Sequence, residues 1–300
     1  MPSTNAPRKD TINRNQRRNL NREKAREQAR LLKEQEEAKR KRTRIIAGVA
    51  GVAIIAAVIA LTVILVKNTD TPIPSTKGSD GLAHSEKVIT AQAPANVTEY
   101  GGISLGKELV AGTKNEGVPQ VDIYFDYACP ACNLLGNEYG AALGEAAKRG
   151  DITLVYHPVR IHSIPFASTG AGAEFFIAEN EPDKYFAFHE LVHEKLMTPY
   201  LEEKISAPTA KDVVDIAREA GVSEENCEKL LQELTQVEKA LENEDVASSP
   251  LLTWIVEITQ QFAVDSQLSR TDGSYGTPSV YIDGVMSDKW TTDISDLLDK

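Results

Sequence analysis

The order of apolar and polar positions divides the chain into stretches of different kinds. Residues 45–66 carry no charge, and their one polar side chain is Thr62. As a helix rising about 1.5 Å per residue, this run would cover roughly 33 Å, the depth of a bilayer core. It predicts a membrane-spanning helix. A cleaved signal peptide is the rival, but its apolar region would be only about 7–15 residues long, so an uncleaved anchor is expected. Residues 67–95 hold Pro72, Pro74, Gly78, Gly81 and Pro94 with little periodicity, and read as a flexible linker. His84 within it is given no role. Beyond it, Ile103 and Leu105 mark a short strand, and residues 121–127 a clear one, rich in β-branched and aromatic side chains. Residues 133–149 predict a helix closed by Gly150. Its glycines Gly136, Gly140 and Gly144 fall four apart and line one face, so another element must pack closely there. A strand over 152–159 follows. Helices are then predicted over 165–179, 182–197, 209–220, 223–243 and 249–268, with Thr209 and Ser223 as N-caps. Strands at 279–282 and 285–290 and a helix from Thr291 complete the chain.

Charge divides along the same boundaries. Residues 1–44 have a net charge of +9 and the remainder −20. The basic run 39–44 abuts the apolar segment, while Lys67 and Asp70 stand at its other end. The positive-inside rule therefore places the N-terminus in the cytoplasm and residues 67–300 outside. The basic head mixes Arg, Lys, Glu, Gln and Ala, so a charged, solvated helix that fixes topology is expected rather than a nucleic-acid site. Hydrophobic residues at 41% and charged residues at 26% exclude wholesale disorder. Three cysteines exclude a disulfide-dense scaffold and a four-cysteine zinc site.

The candidate chemistry sits where the strand at 121–127 runs into Cys129-Pro-Ala-Cys132. Pro130 suits the first position of a helix, where its missing N–H costs nothing. Cys129 then stands at the helix N-terminus with Cys132 one turn on, so both sulfurs face one side. Unpaired N–H donors and the partial positive charge of the terminus favour a thiolate at Cys129. Such sites lower a cysteine pKa from about 8.5 into the range of roughly 3.5–7.5. A stabilised thiolate is a good leaving group, which makes the pair an oxidant if something re-oxidises it. Zinc would need two further ligands, and the only other cysteine, Cys227, lies 95 residues on. A purely structural disulfide would close too small a ring to stabilise much.

Residues 125–132, Phe-Asp-Tyr-Ala-Cys-Pro-Ala-Cys, resemble the active-site segment of DsbA-like thiol-disulfide oxidoreductases of the thioredoxin superfamily. Residues 275–284, Tyr-Gly-Thr-Pro-Ser-Val-Tyr-Ile-Asp-Gly, resemble a second segment of that family. The resemblance spans residues 100–300. It implies an α/β thioredoxin-like fold with a helical insertion over about 164–270; with the segments read above, the expected domains are 1–44 (head), 45–66 (anchor), 67–95 (linker) and 96–300 (catalytic). It further implies a cis Thr277–Pro278 bond facing a Cys129–Cys132 redox disulfide, with Thr277 and Pro278 binding substrate chain. No cofactor is implied. The expected partners are exported client proteins with free cysteines and a membrane oxidase that restores the disulfide. A reductase or isomerase on the same fold, and a binding or chaperone module with a structural pair, are the alternatives. The inter-cysteine pair offers no histidine beside Cys129. An acidic residue near Cys132 is usual in thioredoxin-like proteins, and Asp122 and Asp126 are both candidates.

His189-Glu-Leu-Val-His193 matches H-E-x-x-H, a zinc-protease pattern that needs a third ligand. No histidine follows within the next hundred residues. Both histidines lie near the apolar stripe of Tyr185, Val192 and Leu196, and are read as packing against the core. Cys227 is expected to be a half-buried free thiol.

Overall fold

The structure is a computed structural model and describes residues 75–270 and 274–299. The expected basic head, the apolar run 45–66 and the start of the linker lie outside the described residues. Among the described residues no helix is long and apolar enough to cross a membrane.

Five strands form the central sheet: β3 (Ile103–Leu105), β4 (Gln120–Phe125), β5 (Thr153–Pro158), β6 (Ser279–Ile282) and β7 (Val285–Met286), in the order β3-β5-β4-β6-β7. β1 (Thr76–Lys77) and β2 (Ala83–His84) make a separate small hairpin. β4 is central, parallel to β5 and antiparallel to β6, with Tyr124 opposite Ser279. Every residue of β5 is buried, as expected for a strand covered on both faces. Alternation sends Val121, Ile123 and Phe125 into the main core, and Tyr124 into a smaller cluster with Leu82, Phe262 and Tyr281.

Helices cover both faces. α1 (Pro130–Leu135) leads through a π-helical turn, Gly136–Gly140, into α2 (Ala141–Arg149), which Gly150 closes in the left-handed conformation. Between β5 and β6 lie α3 (Pro165–Asn180), α4 (Tyr185–Val192), a second π turn (His193–Met197), α5 (Thr198–Leu201), α6 (Ala210–Glu219), α7 (Glu224–Glu242) and α8 (Pro250–Ser269). α9 (Trp290–Leu298) follows β7. The predicted helix over 182–197 is thus α4 continued by a π turn. Thr209 caps α6 in a reciprocal box with Asp212, and Ser223 caps α7. The glycine face of α1–α2 meets α4 and its π turn: a Cβ at Gly136 would come closer than 3.0 Å to His193, and one at Gly144 equally close to Phe186.

Three expectations are corrected. The last strand was expected over 285–290, but β7 has two residues. Ser287 ends it, its N–H bonding the Val280 carbonyl and its hydroxyl reaching Asp293 in the first turn of α9. Residues 75–95 are not a free linker but dock along α8. Glu257 accepts the N–H groups of Thr90 and Ala91, Gln261 that of Val88, and Asp265 that of Ser85, at 2.7–2.8 Å. These three side chains are spaced four apart and so share one face of α8. His84, expected to be idle, is 1% exposed, with Nδ1 2.6 Å from Asp265 and Nε2 3.0 Å from Asp80. Its ring stacks on Tyr100 at 3.4 Å. Burial opposes its charge, but the two carboxylates outweigh burial and push its pKa up to about 9.

Candidate active site

β4 ends at Phe125, and the chain turns once through Asp126–Ala128 before α1 begins. Asp126 makes that turn, its carboxylate accepting the Ala128 N–H at 2.7 Å. Pro130 takes the first helical position, which leaves Cys129 as the N-cap in an extended conformation. Cys132 follows one turn inside. Both cysteines are 5% exposed and both are free thiols. From the far end of the domain sequence, the loop before β6 brings Thr277 and Pro278 to the same place. Their peptide bond is cis, and the Thr277 carbonyl oxygen lies 3.1 Å from Sγ of Cys129. The pairing of β4 with β6 holds these two segments side by side.

The two sulfurs are electrostatically unequal. The Cys129 pKa is lowered to about 6. The largest cause is the hydrogen bond from the Cys132 thiol; burial opposes it, and Thr277 and the N–H groups of Cys132 and Ala131 assist. The amides at the helix start thus contribute, but the neighbouring thiol contributes more. Cys132 is driven the other way, chiefly by burial, then by its bond to Cys129. One proton therefore stays on the inner sulfur while the outer one ionises. This asymmetry suits an outer nucleophile and an inner sulfur that resolves the bond.

Of the two acid candidates, Asp126 belongs to this site and Asp122 does not. Both are fully buried. Asp122 lies on the opposite face of β4, 3.0 Å from His157 Nε2 and bonded by Gln120. Asp126 holds the N–H of His162 at 2.8 Å and its Nδ1 at 3.1 Å. That contact raises the His162 pKa, with the Cys129 charge adding to it. A histidine therefore does stand near Cys129, supplied by the segment after β5. Nothing in the sequence marks it, because it lies 33 positions from Cys129.

His189 and His193 form no metal centre. His189 Nδ1 bonds the buried Glu174 at 2.9 Å, and the Tyr127 hydroxyl donates to the same oxygen. Among the described residues, no group of three or more His, Cys, Asp or Glu side chains is arranged to hold a metal ion. Cys227 is fully buried rather than half-buried, its thiol 3.6 Å from the Val222 carbonyl. Burial raises its pKa.

The thioredoxin family model matches residues 105–300. No curated protein matches. Among solved structures, the chain is similar to the thiol-disulfide oxidoreductase MdbA of Actinomyces oris, at 20% identity and a TM-score of 0.50, over 65% of this chain and 81% of that one. It is also similar to MdbA of Corynebacterium matruchotii, at 18% identity and a TM-score of 0.48, over 70% and 93% of the two chains. DsbA of Mycobacterium tuberculosis matches at 18% identity and a TM-score of 0.45, over 67% and 93%.

Proposed function

Because the chain belongs to the thioredoxin family, we propose that it is a protein thiol-disulfide oxidoreductase of the DsbA type, working through Cys129 and Cys132. The observation that carries this reading is the unequal pair of sulfurs beside the Thr277 carbonyl. A client thiolate attacks Sγ of Cys129 in the Cys129–Cys132 disulfide. That bond breaks, its electron pair leaves on Cys132, and a mixed disulfide joins the client to Cys129. A second client thiolate then attacks the client sulfur of the mixed disulfide. Cys129 leaves as the stabilised thiolate, the client gains a disulfide, and the pair is left reduced by two electrons. A membrane oxidase, itself carrying a disulfide, takes those electrons back. Thr277 and Pro278 orient the client chain against Cys129, the Thr277 carbonyl lying beside the sulfur under attack.

The low pKa of Cys129 favours disulfide donation, since a good leaving group gives up its bond readily. The uncharged run 45–66 and the basic residues before it support a single-pass anchor with the catalytic domain outside the cytoplasm. Exported proteins are then the clients. The test is oxidative refolding of a reduced, disulfide-containing protein. Cys129→Ser should abolish oxidation, and Cys132→Ser should accumulate mixed disulfides with the client. Wild-type rates from Cys129→Ser would overturn the reading. The equilibrium of the pair against glutathione separates donation from reduction or isomerisation, a markedly oxidising pair being expected.

A further inference from the structure

The H-E-x-x-H segment is not used by this mechanism, yet the fold carries it to the back of the redox pair. A cavity of about 20 Å³, room for a single water molecule, lies behind Cys132. Cys132, Gly136, Gly140, His189, Glu190 and His193 line it. Gly136 and His193, the first residues of the two π turns, meet there. A side chain at Gly136 would collide with the imidazole, so the glycine is what lets the ring approach this helix. His193 stands beside the Cys132 main-chain carbonyl. Its Nε2 is buried and has no well-formed hydrogen bond to the protein. A buried ring nitrogen without a partner carries a cost that calls for an explanation. Next to a buried sulfur that must gain and lose a proton in each cycle, it has one.

We propose that His193 relays the proton of Cys132, through a water molecule in this cavity. When the client attacks Cys129, the electron pair of the broken S–S bond arrives on a sulfur that burial keeps from holding charge. The cavity water gives that sulfur a proton and takes the Nε2 proton of the neutral imidazole, whose other nitrogen gains one from solvent. On re-oxidation the direction reverses. The Cys132 thiol passes its proton through water to His193 Nε2, and the new thiolate attacks Cys129 in the mixed disulfide with the oxidase. The partner sulfur leaves with the electron pair, and the proton goes on to solvent. One proton moves each way, and the only oxidant is the disulfide of the oxidase.

The surroundings fit a relay rather than a store. Burial and the charge of nearby His189 lower the His193 pKa to about 4, so the ring is neutral and its one proton can sit on either nitrogen. His189 is held by Glu174, and its pKa is raised: burial opposes its charge, but the carboxylate outweighs it. Glu190 from α4 and Tyr156 from β5 are the other ionisable groups lining the site. On the segment of His193 itself, Lys195 is engaged at the surface by Glu219.

This inference rests on the redox reading, and one experiment separates the two. The reduced full-length chain is mixed with 5,5′-dithiobis(2-nitrobenzoate) across pH 5–9. Attack by Cys129 releases a first coloured thiolate, and attack by Cys132 on the mixed disulfide releases a second. In His193→Gln the first phase should match wild type. The second should slow by about 10²-fold at neutral pH, the scale of a lost acid–base group, and recover as pH rises. A second phase that is unchanged, or slowed equally at every pH as a packing defect would slow it, overturns the relay. Wild-type chain that releases nothing from Cys129 overturns the redox reading instead. A measurement on wild type guards against a variant that fails to fold: in D₂O the second phase alone should slow, and equal rates in both solvents overturn the relay.

Discussion

Sγ of Cys129 lies 3.1 Å from the carbonyl oxygen of Thr277, a residue 148 positions further along the chain. The contact joins the loop before β6 to the start of α1. It also sets a backbone acceptor directly against the outer sulfur of the pair.

The first prediction concerns the acidity of Cys129. Its alkylation by iodoacetamide should follow a single titration centred at about pH 6. Because the Cys132 thiol is the largest cause of the lowered value, Cys132→Ala should move that midpoint upward. If the midpoint stays where it is, the helix terminus and not the neighbouring thiol sets the acidity.

The same shift makes the reduced form sensitive to pH. A thiol whose pKa is lower folded than unfolded stabilises the fold most above its unfolded value of 9.0, and that contribution is lost as pH falls through about 6. The urea midpoint of the reduced chain should therefore rise between about pH 6 and pH 9 relative to Cys129→Ser at the same pH. Parallel curves would contradict it.

His84 should show the opposite dependence. Its pKa is raised, so its contribution is complete below the unfolded value of 6.5 and is lost as pH rises through about 9. His84→Ala leaves Asp80 and Asp265 buried without their shared cation, and should cost about 3–5 kcal/mol at pH 6. The gap between wild type and variant should narrow by pH 10. Thermal melts at the two pH values measure it.

Two glycines should respond in opposite ways to the same substitution. At Gly170, within α3, a Cβ would come closer than 3.0 Å to the fully buried ring of Tyr127, which Glu174 holds in place. Gly170→Ala should destabilise by about 1–3 kcal/mol despite the better helix propensity of alanine. At Gly140 a Cβ would meet only Glu190 Oε1, at 3.5 Å. Gly140→Ala should be neutral or stabilising by up to about 1 kcal/mol. Denaturant midpoints of the two variants decide it.

Much of the domain was legible because its signals are local. β-branched alternation marked β4 and β5, Thr209 and Ser223 marked two helix starts, and the four-residue spacing of Gly136, Gly140 and Gly144 announced a close neighbour. The cysteine pair and the Thr277–Pro278 turn were visible as motifs. What stayed hidden depends on partners distant in sequence. Residues 75–95 look like a linker because they dock through their backbone N–H groups, which have no sequence. The receiving side chains Glu257, Gln261 and Asp265 resemble any polar helix face. His162 and His193 reach the site only through tertiary packing. The π turns leave no periodic trace, since one extra residue per turn shifts the pattern too briefly to read.

The β4–β6 ladder carries a consequence for biogenesis. The two halves of the site lie on neighbouring strands whose paired residues are about 155 positions apart, as with Tyr124 and Ser279. Contacts of such long sequence separation form late. A chain emerging N-terminus first has its cysteines in the open well before the acceptor at Thr277 arrives. The thiols and the Thr277 carbonyl come together only once the ribosome has delivered the chain through β6, so a product interrupted before that strand would carry the cysteines without this contact.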